Sequence, residues 1–172
     1  MRGRNTLAKI ISLSLVIALT FTACKSDKDR IPFSSLTFDT TYDEMIEELG
    51  EPAETTVTYL GDTYSYASEY LQKDGNVRYT FDEDGKMASI TWLYSSEDGE
   101  EVSALYADIH KQLENNHGKT TESSDDVTQL SDIWRLDSGN ISLVAVISSD
   151  YNGLMYTYMS KEHSTSEEDL NK

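Results

Sequence analysis

Cysteine is almost absent from this 172-residue chain: Cys24 stands alone, so no internal disulfide can form. Proline occurs twice and histidine three times. So few histidines leave little material for a general base or a metal cluster. Positive charge is also scarce, with 14 Lys and Arg against 31 Asp and Glu and a formal charge of −17. That sign excludes a basic nucleic-acid-binding surface. The length excludes a large multi-domain enzyme. The chain contains no Cys-x-x-Cys pair, no His-Glu-x-x-His, no Gly-x-Ser-x-Gly elbow and no phosphate loop. No cofactor is expected.

Long hydrophobic runs are missing too. Residues 10–21 (IISLSLVIALTF) form a short apolar run behind a basic start with Arg2, Arg4 and Lys9. A membrane-spanning helix needs roughly 20 apolar residues, whereas this pattern has the proportions of an export signal. Residues 1–23 hold those three cations and no acid, so the rest of the chain carries −20. Phe21-Thr22-Ala23-Cys24 resembles a bacterial lipobox, with Phe21 where that family usually has an aliphatic residue. The resemblance implies cleavage before Cys24, diacylation of its sulfur and acylation of the new amino terminus with fatty acids such as palmitate. It therefore implies an extracytoplasmic domain anchored to the cell membrane by lipid. Residues 24–36 read as a polar tether.

Beyond the tether the chain reads as two similar halves, 37–95 and 96–160, followed by a polar tail over 161–172. Thr40 or Thr41 can cap a helix whose Tyr42, Met45, Ile46 and Leu49 share one face, stopped by Gly50 and Pro52. Strand patterns follow at 56–60, 63–71, 77–81 and 86–94, with Gly61-Asp62 and Asp82-Glu83-Asp84-Gly85 as turns. The second half opens with Ser96 or Asp98 before a longer helix striped by Val102, Leu105, Tyr106, Ile109 and Leu113. Residues 119–131 read as an exposed loop or weak strand, and strands follow at 132–137, 141–148 and 154–160. The expected fold class is α+β: two tandem helix-plus-antiparallel three- or four-stranded sheet units, packed together or joined edge to edge with the helices on one face. A unit of this size without disulfides has a marginal core, which favours pairing.

Residues 42–52 (YDEMIEELGEP) resemble the opening helix of small outer-membrane assembly lipoprotein domains. The tandem order over 37–160 resembles that of the secreted β-lactamase-inhibitory proteins. Those families bind other proteins and catalyse nothing; the inhibitors use an aromatic-rich sheet surface and hairpin loops. The comparable loops here are residues 61–63 and 150–153. Known inhibitors carry disulfides, whereas Cys24 is alone, so shared fold is expected over shared inhibitory activity.

All eleven tyrosines follow residue 41. Tyr64, Tyr66 and Tyr70 should project from one strand face, and Tyr156 and Tyr158 from another. Tyrosine packs well on a half-buried sheet and also serves interfaces, so both roles stand open. Tyr64, Tyr66, Tyr70, Tyr151 and Asn152 are the candidate binding residues. His110, Glu114 and His117 could share a helix face as metal ligands, but an exposed polar flank is the expected role. Residues 82–85 have calcium-loop character for four residues only, without the later ligands of an EF-hand loop, and read as a solvated turn. The expected function is a non-catalytic binding module for a protein, peptide or envelope component. A structural accessory subunit of an envelope assembly is the alternative; a small hydrolase or lactamase inhibitor ranks below both.

Overall fold

In the computed structural model, which describes residues 30–166, Thr41 opens the first helix with a reciprocal cap. Its hydroxyl accepts the Glu44 amide at 3.3 Å, and the Glu44 carboxylate accepts the Thr41 amide at 2.8 Å. This helix, α1, runs Tyr42–Leu49 and stops at Gly50, whose φ is +77°. Asp98 caps the second helix, α2 (Gly99–His117), by accepting the Glu100 amide at 2.9 Å. Residues 1–23, Cys24 and the end of the tail lie outside the described residues.

Four strands follow α1: β1 (Glu54–Thr58), β2 (Gly61–Tyr70), β3 (Lys73–Phe81) and β4 (Met87–Ser96). Four follow α2: β5 (Glu122–Asp125), β6 (Gln129–Leu136), β7 (Gly139–Ile147) and β8 (Asn152–Ser160). A short 3-10 turn, Lys161–His163, closes the described chain.

The expected pair of helix-plus-sheet units is not what forms. All eight strands make one antiparallel sheet in the order β1-β2-β3-β4-β8-β7-β6-β5. The β4–β8 pairing is continuous from Ser89–Met159 to Ser96–Asn152. The core belongs to the seam: fully buried Trp92 on β4 stands opposite Tyr156 on β8, which stands opposite Leu143 on β7. Helix α2 packs against β7, β8 and also β4, so it bridges strands from both halves. The buried apolar residues form a single cluster. Neither half could bury Trp92 or Tyr156 alone, and this is why the sequence division at residue 95 does not mark a structural boundary.

Residues assigned to the tether and its flank join that core. Ile31, Phe33 and Leu36 are buried, and Phe33 sits edge-on to Tyr70, Tyr156 and Tyr158, with ring centres 5.8, 4.9 and 5.9 Å away. The Ser34 hydroxyl is 3.1 Å from the Tyr79 hydroxyl. The apolar residues are too few and too irregularly spaced to show a helix or strand period, so the sequence pattern hides them.

The expected turn at Gly61-Asp62 proved to begin β2, the β1–β2 turn being made by Tyr59 and Leu60. Asp74-Gly75 lies inside β3, where a Cβ on Gly75 would come within 2.5 Å of the Leu93 carbonyl oxygen and 2.8 Å of Trp92 Nε1. Glycine serves there for close approach, not for turning. The β2–β3 turn is made by Leu71 and Gln72, both at positive φ. Asn152-Gly153 similarly begins β8, while the turn before it is closed by Ser148 and Tyr151.

Candidate functional site

Residues paired across neighbouring strands share a face, so the register sorts every strand residue to one side. Tyr64, Tyr66 and Tyr70 fall on the same side as Tyr79, Trp92, Tyr156 and Trp134. Both helices cover that side. The Tyr64 ring packs 5.0 Å from Tyr42 of α1 and 6.0 Å from Phe81. The Tyr66 hydroxyl donates to the Gly50 carbonyl at 3.0 Å, and Tyr70 meets Trp92 edge-on at 5.3 Å. Burial raises the pKa of all three hydroxyls. These tyrosines pack the helices and the N-terminal segment onto the sheet, so they do not form an open binding face.

Among the described residues, no hydrogen bond, ion pair or ring contact joins either helix to the opposite side. Its central row crosses all eight strands as Glu54, Ser65, Arg78, Thr91, Thr157, Ser142, Ile133 and Glu122. Hydroxyls pair across it: Thr63 with Thr80 at 2.9 Å and Thr91 with Thr157 at 3.0 Å. A parallel row brings Leu93, Met155 and Val144 together. Met155 is 40% exposed, a large apolar side chain left to solvent in the middle strand of the sheet. Gly153 belongs to the same side, and a Cβ there would meet the Tyr151 ring. Tyr151, itself exposed, therefore extends this face beyond Met155. Asn152 has a structural part: its amide nitrogen donates to the Glu97 carbonyl at 3.2 Å, and its oxygen accepts the Ser148 amide at 3.2 Å.

The helix-covered side holds a buried polar cluster that the sequence did not reveal. His110 Nδ1 is 2.7 Å from Asp132 Oδ2, and the Tyr106 hydroxyl donates to the same oxygen. Glu114 is 3.6 Å from His110 Nε2. Thus His110 faces a β6 carboxylate rather than joining His117 around a metal, and no set of three or more His, Cys, Asp and Glu side chains poised for a metal occurs among the described residues. Asp132 was readable only as one acid among many; its position opposite Leu143 on a buried face marks it. At residues 82–85, one Asp82 oxygen accepts the amides of Asp84 and Lys86 at 3.0 and 2.8 Å, and the other lies 3.1 Å from His163 Nε2. The turn's own amides and His163 thus engage both carboxylate oxygens. A pocket of about 480 Å³ lies on the helix-covered side between the N-terminal segment and the ends of β6 to β8, with Ile31, Leu36, Phe38 and Leu136 in its walls. Arg30 also lines it. No helix among the described residues is long and apolar enough to cross a membrane.

No protein-family profile matches the sequence, and no curated protein matches it. Among solved structures, a DUF4309 family protein (YjgB) from Bacillus subtilis subsp. subtilis str. 168 is similar at 12% identity and a TM-score of 0.45, over 72% of this chain and 83% of that one. A likeness of that size carries no argument about fold or function.

Proposed function

We propose that this chain is a non-catalytic lipoprotein, anchored through Cys24 on the extracytoplasmic side of a cell membrane, whose uncovered sheet face docks another protein. The observation that carries the proposal is the one-sided packing of the sheet. Both helices and the N-terminal segment lie on one face, and the other presents Met155, Leu93, Val144 and Tyr151 beside a hydroxyl-rich row. Such a broad surface with apolar residues next to hydrogen-bonding groups suits a protein partner better than a small ligand, which favours a concave pocket. Lipid at Cys24 would hold the acidic domain at a membrane that its own charge repels. Two measurements separate the parts. Palmitate labelling and membrane fractionation should be lost in Cys24→Ser. Complexes cross-linked on intact cells should be lost in Leu93→Glu/Met155→Glu while labelling persists; complexes that survive this double change would contradict the face assignment.

A further inference from the structure

Arg78 is the one cation in the central row of the uncovered face. Lys86 and Arg135 pair with Glu162 and Glu122 at 2.9 and 2.7 Å, and Lys73 pairs with Glu101. Arg78 has no such partner among the described residues, although the chain carries more than twice as many acids as bases. Its row holds Ser65 and Thr91 on either side, and the nearest acid in that row, Glu54, is two strands away. The Arg78 Nε is buried without a hydrogen-bond partner among the described residues. So is the hydroxyl of Ser65, directly opposite on β2, and that residue is 5% exposed. Both of those atoms are shut off from solvent, so a partner meets Arg78 at its Nη groups, which are not buried and have no hydrogen bond or ion pair among the described residues.

We propose that Arg78 anchors an Asp or Glu carboxylate of the docked protein. This rests on the uncovered face being the contact surface. An arginine presents a planar fork of N–H donors that matches a carboxylate through two parallel bonds, and arginine is enriched where interface energy concentrates. Thr91 supplies a further hydroxyl beside it, and Leu93 and Met155 in the adjoining row supply the apolar surround that excludes water. A general acidic surface repels acidic partners at long range, so the anchor confers local register on a partner whose carboxylate sits among neutral or basic residues.

The test uses the full chain in detergent micelles, ¹⁵N-labelled, titrated with sodium acetate, with inorganic phosphate and with sodium chloride at matched ionic strength. Acetate should give saturable shifts at the Arg78 Nε–Hε signal and at the amides of Ser65, Arg78 and Thr91. Arg78→Lys, which keeps the charge without the fork, should weaken the response by roughly fivefold, and Arg78→Gln should abolish it. Absence of a saturable acetate response, equal shifts with chloride, or persistence in Arg78→Gln would overturn the proposal. Tighter binding of phosphate at the same amides would also overturn it, pointing to a phosphate-bearing ligand instead. Failure here together with a cross-linked partner mapped to Met155 would remove the carboxylate anchor and leave the contact surface standing.

Discussion

His110 Nδ1 lies 2.7 Å from Oδ2 of Asp132, which ties the middle of α2 to β6 through a carboxylate that is 2% exposed. Tyr106, one turn earlier on the helix, donates to the same oxygen, while the other Asp132 oxygen has no partner among the described residues. Removing the carboxylate leaves two donors stranded beneath the helix. Asp132→Ala should therefore destabilise the fold by about 2–4 kcal/mol, and Tyr106→Phe by about 1–2 kcal/mol. Urea unfolding of the double variant should show a loss smaller than the sum of the singles, because both remove the same bond.

Alkaline pH should unfold the domain through its buried tyrosines. The Tyr156 and Tyr158 hydroxyls are 2.9 Å apart, and burial pushes both pKa values up, that of Tyr158 to about 12. An unfolded tyrosine loses its proton near pH 10. Above that pH the folded state holds more protons than the unfolded one, so stability falls as pH rises from about 10 toward 12. The unfolding midpoint followed across this window should decline, with a shallower decline in Tyr158→Phe.

Acid has its own limb. Hydrogen bonds from Lys73, then Ser96 and Tyr94, hold the Glu101 carboxyl down at about 2. Its contribution is present above the ordinary carboxylate pKa of about 4.3 and is lost as pH falls toward 2. In Lys73→Met the Glu101 carboxyl should titrate closer to its ordinary range in a ¹³C NMR titration. Both side chains are partly exposed, so the stability change should be small and diminish with salt.

Gly75→Ala tests the contact between β3 and the central tryptophan. The added Cβ would crowd both the Leu93 carbonyl and the Trp92 indole, and overpacking of this kind costs about 1–3 kcal/mol. A shifted urea midpoint together with altered Trp92 fluorescence is the expected outcome; a change confined to the midpoint would place the strain elsewhere.

Local signals read well in this chain, and long-range ones did not. Thr41, Gly50 and the Val102-to-Leu113 stripe disclose both helices because caps and helical periodicity are properties of neighbours in sequence. The alternation that set Tyr64 and Tyr66 on one face also placed Ser65 on the other, but period two does not say which face a helix will cover. That depended on where α1 docks, and the aromatic side won because it buries more apolar area. Arg78 was readable as the residue between Val77 and Tyr79, two inward side chains, and so as outward-facing. Its isolation from acids was not, since it depends on cross-strand register. The part played by Gly75 was hidden for a similar reason: the indole that requires the glycine arrives from another strand.

Docking through the uncovered sheet face can be mapped by placing a photo-crosslinking amino acid at single positions and irradiating intact cells. Leu93, Met155 and Tyr151 sample the uncovered face, while Asp108 and Lys111 sample the exposed side of α2. One discrete protein adduct should be shared by the three sheet positions and absent from the two helix positions. Adducts from Asp108 or Lys111, with none from Met155, would contradict that docking.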